Sequence, residues 1–137
     1  MEENEDLSTY RFNKDNVIRL IAIGISNQVS KARGSVVSIT TSNILGRLNG
    51  DKPIIGYTAW RGILKYFLDA LVAKGYMTVY KKGTKKPHKG STKPHNTVRV
   101  HVYMIPKRLN HNIPNPLFST NPELIYLFLK GILSNVD

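Results

Sequence analysis

The chain has no cysteine, no long apolar run and few acidic residues, and each absence excludes a class of structure. Without cysteine it cannot form disulfides or thiolate zinc sites. The longest uninterrupted apolar run, residues 124–129, is far too short to cross a bilayer as a helix. The acidic N-terminus has none of the apolar core of a secretory signal. We therefore expect a soluble intracellular protein.

The few acidic residues are unevenly placed along the chain. Five of the nine lie within the first fifteen residues. Between residues 16 and 122 there are seventeen lysines and arginines but only two acids, Asp51 and Asp69. Such an excess of positive charge attracts polyanions, whereas an ordinary solubilising surface mixes both signs. The charge distribution therefore predicts a nucleic-acid partner.

The sequence contains no recognisable arrangement of catalytic or metal-binding residues. Its acids are too scattered for a carboxylate pair, it has no thiol, and it lacks a glycine-rich phosphate-binding motif. His88 and His95 lie close together in the sequence, but no nearby acid or cysteine completes a metal site. We expect neither an enzyme nor a bound metal or cofactor.

Hydrophobic periodicity predicts an α+β domain over residues 13–105, preceded by an acidic flexible tail at residues 1–12. Apolar residues at steps of three and four predict a first helix that begins near Asn13 or Lys14. This helix ends before Gly34, a residue suited to a left-handed turn.

A short strand and two more helices follow. The β-branched run at residues 36–39 predicts the strand, and Thr40, Thr41 or Ser42 can cap the second helix. The third helix begins near Thr58, a plausible N-cap. Its predicted core face carries Trp60, Leu64, Phe67, Leu68 and Leu71, and its opposite face carries Thr58, Arg61, Lys65 and Asp69.

The third helix ends at Gly75 and leads into a β-hairpin with a long, lysine-rich loop at residues 83–96. On the return strand apolar and polar positions alternate, which predicts one buried and one outer face. The predicted buried face consists of Val98, Val100, Val102 and Met104, and the outer face consists of Arg99, His101, Tyr103 and Ile105.

The remaining chain contains a linker and a last helix. Four prolines between residues 106 and 122 predict an extended linker at residues 106–120. Thr120 and Glu123 have capping-box spacing and predict a helix within residues 121–137. Because this helix is apolar around most of its circumference, we expect it to be buried on more than one side. We assign a homodimer interface to Leu124, Leu127, Phe128 and Ile132.

The order helix, short strand, helix, helix, strand, loop, strand resembles that of winged helix-turn-helix DNA-binding domains. Residues 58–76 carry the resemblance together with the basic hairpin, because they form an apolar helix that ends in Lys-Gly before a strand. The similarity covers about residues 14–105. The turn at residues 49–56 and the lysine-rich loop are both longer than is usual for the family.

The resemblance implies that the third helix enters the major groove of DNA and that the hairpin, or wing, contacts phosphates. The groove-facing residues are then Tyr57, Thr58, Arg61 and Lys65. Arg61 suits bidentate contact with guanine, whereas Lys65 suits a phosphate. The wing residues that would contact phosphates are Lys81, Lys82, Lys85, Lys86, Lys89 and Lys93, extended by Arg99.

We therefore expect a double-stranded DNA-binding protein, acting as a homodimeric transcriptional regulator or a chromatin-like binder. It would lie in the cytoplasm at the nucleoid, or in the nucleus of a eukaryote. An alternative is an RNA-binding structural component of the ribosome or another ribonucleoprotein, since small size and high positive charge fit that role too. A third possibility, a protein-binding winged helix in a polymerase or replication assembly, is disfavoured by the scarcity of acids.

Overall fold

A computed structural model describes residues 13–49, 57–85 and 97–135 of the chain. These residues form an α+β fold, as predicted, with one antiparallel sheet in the strand order β1-β3-β2. The elements in chain order are α1 (Lys14–Ser30), β1 (Val36–Ile39), α2 (Thr41–Asn49), α3 (Tyr57–Ala73), β2 (Thr78–Lys85), β3 (Thr97–Pro106), a 3-10 turn (Asn110–Asn112) and α4 (Pro122–Ile132). None of the described helices combines the length and apolarity that a bilayer span requires.

Side-chain caps start the first two helices close to the predicted positions. Asn13 Oδ1 accepts a hydrogen bond from the Asn16 amide at 2.8 Å, which satisfies a free N–H of α1. At the start of α2, Thr40 Oγ1 accepts from the Asn43 amide and Asn43 Oδ1 accepts from the Thr40 amide. This reciprocal pair has the spacing of a capping box, with asparagine in the place of the usual glutamate.

The two helices cross where α1 carries Gly24. A Cβ atom built on Gly24 would lie 2.6 Å from Ile44 Cγ1 of α2, so a larger residue there would push the helices apart. Periodicity alone did not reveal this contact, because glycine looks like an interruption of the apolar stripe rather than part of it. The buried residues of α1 and α2 thus share one core with α3 and the sheet.

Helix α3 ends at a glycine with a left-handed backbone conformation, whereas α1 does not. Gly75 has a φ of 90° and ends α3 as predicted. The Tyr76 amide donates to the Leu71 carbonyl and the Gly75 amide donates to the Val72 carbonyl, which is the Schellman arrangement. Gly34 does not adopt a left-handed φ, contrary to the prediction. Helix α1 ends earlier, at Ser30, and its C-cap residue Lys31 has a right-handed conformation.

Helix α3 buries the face that its periodicity predicts. Trp60, Leu64, Phe67, Leu68 and Leu71 are all buried in the core. The prediction that Thr58 caps this helix is wrong, because α3 already includes Tyr57 and Thr58 therefore lies in its first turn. Thr58 and Arg61 are exposed on the opposite face.

On β3 the face that joins the core is the opposite of the predicted one. Tyr103 and Ile105 are fully buried in the core, and their partners on β1 are buried with them. Val102 is also buried, but outside this cluster. Alternation failed as a guide because this end of the strand is apolar on both faces. Tyr103 can be buried because its hydroxyl donates a hydrogen bond to Asp69 of α3.

The proline-containing segment between β3 and α4 lies against the rest of the fold. Its anchor is the buried side chain of Asn115, whose amide nitrogen donates to the carbonyl oxygens of Tyr76 and Pro106, at 2.9 Å each. Asn115 Oδ1 accepts from the Leu117 amide, and the Leu117 side chain is fully buried. The segment therefore carries α4 back to the core.

Helix α4 packs against α1. Asn121 caps it by accepting from the amides of Glu123 and Leu124, so the cap lies one residue after the predicted Thr120. The Tyr126 hydroxyl donates to Asp15 Oδ1, and the Arg19 guanidinium lies 4.0 Å from the centre of the Tyr126 ring. The residues of α4 buried in the shared core are Ile125, Tyr126, Leu129 and, just past its end, Leu133.

Candidate nucleic-acid interface

The outer face of α3 lies beside one face of the β2–β3 hairpin. In the antiparallel register Lys81 of β2 is directly opposite His101 of β3, and Val79 is opposite Tyr103. Since alternate residues of a strand share a face, His101 and Lys81 continue the face on which Tyr103 meets α3. Lys81 and His101 therefore lie on the side of the hairpin that meets α3, nearer the hairpin loop than Val79 and Tyr103.

Asp69 joins α3 to the hairpin and holds Lys65 in place. Tyr103 donates a hydrogen bond to Asp69 Oδ1 at 2.6 Å, and Lys65 Nζ donates to Asp69 Oδ2 at 2.8 Å. Partial burial alone would raise the pKa of Asp69, but these two hydrogen bonds and the Lys65 charge together hold it below its usual value. Asp69 therefore stays ionised, with each of its oxygens engaged by one neighbour.

His101 lies among the basic side chains of both elements. Its ring stacks against the ring of Tyr103, with the ring centres 6.5 Å apart and the planes 22° apart. Partial burial lowers the pKa of His101, and the nearby charges of Lys65, Lys81 and Arg61 lower it further, against the opposing effect of Asp69. The histidine is therefore mostly neutral near pH 7.

We call the four residues Arg61, Lys65, Lys81 and His101 the basic junction. Arg61 and Lys81 are exposed, whereas Lys65 and His101 are half-buried. Among the residues that the structure describes, Asp69 is the acid whose charge acts on His101. The junction thus concentrates fixed positive charge where a helix and a hairpin meet, and such a concentration of charge attracts anions.

The structure describes some of the contact residues that the sequence predicts, but not all of them. Thr58, Arg61, Lys65 and Lys81 lie on α3 and the adjoining strand, as expected. The backbones of Tyr57, Lys82, Lys85 and Arg99 lie in α3, β2 and β3, but their side chains are outside what the structure describes. Lys86, Lys89 and Lys93 lie outside the described residues altogether.

Sequence reasoning missed two members of this site. His101 was interpreted as an outer strand residue with no particular role, because its neighbours on α3 are distant in sequence. Asp69 did carry a signal, since it follows Lys65 by four residues on a helix and is the only acid of α3. Its bond to Tyr103 depends on tertiary structure that the helical spacing does not contain.

The four residues assigned to a dimer interface divide into two pairs. Leu124 and Leu127 of α4 are more than half exposed. Phe128 packs edge-on against Tyr76, with ring centres 5.1 Å apart, and Ile132 is partly buried against the core. The side of α4 that remains open to a partner is thus the one with Leu124 and Leu127.

Among the described residues there is no group of three histidine or acidic side chains that is placed to hold a metal ion. The chemistry of the basic junction is instead that of hydrogen-bond donors and positive charge, which binds anions without a metal. In comparisons with known proteins, no family model, no curated protein and no solved structure matches the chain.

Proposed function

We propose that this protein binds double-stranded DNA as a winged helix, with α3 in the major groove and the β2–β3 hairpin on the phosphate backbone. The observation that carries the proposal is the basic junction, where cations of α3 and of the hairpin act on the same residue, His101. A helix that enters a groove and a hairpin that reaches the flanking backbone must present their cations on the same side of the molecule.

The element order supports the same mode of binding. The described chain runs α1, β1, α2, α3, β2, β3, and the two hairpin strands follow α3 directly. That is the order in which a winged helix presents its recognition helix and its wing. The hydrogen bond between Tyr103 and Asp69 fixes the hairpin against this helix, so both reach DNA as one rigid unit.

The cations of the junction have different tasks in this proposal. Arg61 is exposed in the second turn of α3 and reads base edges, where its planar guanidinium matches the two acceptors of guanine. Lys65 is held by Asp69 and acts as a positioned charge toward a phosphate. Lys81 contacts the backbone from the hairpin, together with the loop lysines. Contacts to phosphate place the protein, and contacts to bases give it sequence preference.

We further propose that the protein acts as a homodimer, as a transcriptional regulator or a chromatin-like binder. Support comes from the two exposed leucines of α4, Leu124 and Leu127, which lie three residues apart on one side of the helix. A two-fold pair of winged helices presents two recognition helices to successive turns of DNA.

The test is fluorescence anisotropy with random-sequence duplex DNA, single-stranded DNA and structured RNA, each titrated at several salt concentrations. We expect the duplex to bind tightest, with an affinity that falls steeply with salt. As a control variant, Lys107→Ala should bind the duplex as tightly as the wild-type protein. Lys107 is an exposed lysine, but it lies just beyond the end of β3 that is farthest from the hairpin loop. Equal or tighter binding to structured RNA would refute the proposal in favour of a ribonucleoprotein component.

A further inference from the structure

His101 has a position that the proposed mode of DNA binding does not by itself use. It is half-buried, it faces Lys81 across the hairpin, and it lies within the electrostatic reach of Arg61 and Lys65 on α3. A histidine that merely fills a strand surface needs no such surroundings. The charges of these three residues disfavour the protonated imidazole, and an anion that binds beside them favours it.

We propose that Lys65, Lys81 and His101 of the basic junction form a binding site for one backbone phosphate of DNA, and that His101 takes up a proton when the phosphate binds. The proposal rests on the proposed function, because the phosphate belongs to the duplex that α3 and the hairpin contact. In the bound state Lys65 and Lys81 supply fixed charge at the phosphate, and the charge of Arg61, whose guanidinium contacts a base, acts on the same place from α3. His101, on β3 of the hairpin, supplies a further charged hydrogen-bond donor.

The charge balance of the junction favours an anion. In the described part of the chain Asp69 is the acid that acts on His101, and both of its oxygens already accept hydrogen bonds, from Tyr103 and from Lys65. Against the three fixed cations it leaves an excess of positive charge even when His101 is neutral. A phosphodiester offsets part of that excess and therefore weakens the repulsion that, together with burial, keeps the imidazole unprotonated.

Charged and titratable side chains from three elements act on or contact His101. On α3 they are Arg61, Lys65 and Asp69, on β2 Lys81, and on β3 Tyr103. Burial and the Asp69 carboxylate raise the pKa of Tyr103, so its hydroxyl stays protonated, whereas the pKa of Asp69 is lowered, so it stays ionised. Between pH 5 and pH 8 the imidazole is thus the group of this set that changes charge.

The sign of the linkage follows from these charges. Bound phosphate raises the pKa of His101 above its value in the free protein, so the complex holds the proton over a pH range in which the free protein has lost it. Affinity is therefore highest below the pKa that His101 has in the free protein. It falls as the pH rises from this value to the higher pKa that His101 has in the complex. One group exchanges at most one proton, which limits the change to about tenfold in affinity per pH unit.

The experiment is anisotropy with a random-sequence duplex from pH 5.5 to pH 8.0 at constant ionic strength, for the wild-type protein and for His101→Gln. We expect the wild-type affinity to fall by roughly three- to tenfold per pH unit within this range, and that of the variant by less than about twofold. Glutamine keeps a polar side chain of similar length without a charge. Circular dichroism at each pH establishes that the variant is folded.

A second variant keeps His101 as the only histidine. His88→Gln/His95→Gln/His111→Gln removes the other three, two of which lie in the lysine-rich loop. We expect this variant to retain the wild-type pH dependence, and the remaining imidazole signal in a proton NMR titration to show a raised pKa when duplex is added. Should His101→Gln not fold, this variant tests the proposal by itself.

The outcomes separate the two proposals. Duplex binding that depends on pH equally in the wild-type protein and in His101→Gln would overturn the role of His101 and leave the proposed function intact. The same holds if the pH dependence disappears in the triple variant, because the loop histidines would then be its source. Failure of the wild-type protein to bind duplex DNA at any pH would overturn the proposed function, and the phosphate site with it.

Discussion

The Tyr103 hydroxyl donates a hydrogen bond to Asp69 Oδ1 at 2.6 Å, between a fully buried position on β3 and a half-buried one on α3. The two residues lie 34 positions apart in the chain. Their bond connects the hairpin to the face of the helix that carries Lys65. The bond is therefore a direct polar contact between α3 and the hairpin, in addition to the hydrophobic core that they share.

Tyr103→Phe removes that hydrogen bond and keeps the ring. A hydrogen bond to a charged group contributes about 1.5–3 kcal/mol, and because Asp69 is partly exposed we expect a loss near about 1–2 kcal/mol in the free energy of unfolding. Urea denaturation measures it. The matched control is Tyr80→Phe, since Tyr80 on β2 is half exposed, and there we expect a change within about 0.5 kcal/mol. Equal effects of the two substitutions would contradict a structural role for the Tyr103 hydroxyl.

Arg61→Ala and Lys81→Ala separate base reading from phosphate contact. We expect Arg61→Ala to cost about 1–3 kcal/mol on a preferred duplex and much less on random DNA, because a bidentate contact to guanine is lost. Lys81→Ala should weaken binding to all duplexes alike and reduce the salt slope by about one. Anisotropy on a selected and on a random duplex measures both, with Lys107→Ala as the neutral comparison.

If Arg61→Ala weakened binding to the selected and the random duplex equally, Arg61 would be a phosphate contact. The assignment of α3 as the recognition helix would then fail. The loop pair Lys85→Ala/Lys86→Ala provides a further reference from the hairpin, for which the sequence predicts a uniform loss and a flatter salt dependence.

The sequence pattern predicts the buried face of an element correctly where only one face of that element is buried. Trp60 and Leu64 recur at helical spacing with polar residues between them, so the core face of α3 could be read directly from the pattern. The phase of β3 could not, because Val102 and Tyr103 are both buried, on opposite faces, and alternation then favours the valine. What decides between the two is the acceptor that Asp69 offers to a buried hydroxyl, and no local pattern contains it.

The same limit applies to the candidate site. Arg61 and Lys65 could be identified because they share a helix face with Thr58 and are separated from the core stripe. His101 could not, because its significance comes from cations on α3 and β2 that are brought to it by the fold. Asn115 was hidden for a related reason, since a proline-containing segment resembles a linker until the two carbonyls that its amide binds are known.

Acid should weaken the docking of α4 on α1 through Asp15. The hydrogen bond from Tyr126, then that from Arg19, and the charges of Arg19 and Lys130 lower the pKa of Asp15, against a smaller opposing effect of burial. A carboxyl whose pKa is lower in the folded protein adds stability above its unfolded pKa, about 3.9. That contribution is present at neutral pH and is lost as the pH falls through the folded value, so the change of stability with pH that Asp15 causes is confined to conditions below about pH 4.

Asp15→Asn provides the measurement, as the melting temperature of both proteins between pH 7 and pH 2.5. We expect the variant to be less stable than the wild-type protein at pH 7 and the difference to shrink at the acid end. Glu123→Gln is the matched control, because Glu123 is an exposed acid of α4 that makes no ion pair among the described residues. A difference between wild type and Asp15→Asn that is constant over the whole pH range would show that ionisation of Asp15 is not its source.

The exposed side of α4 should hold two copies of the protein together. Leu127→Glu places a charge in the middle of this side, where a partner helix would have to bury it, so we expect the wild-type dimer to dissociate. Sedimentation velocity at micromolar concentration measures the effect. Ile113→Glu is the matched control, since Ile113 is exposed to a similar degree but lies in the segment before α4. A wild-type monomer at this concentration would refute the dimer, and dissociation caused equally by Ile113→Glu would move the interface away from α4.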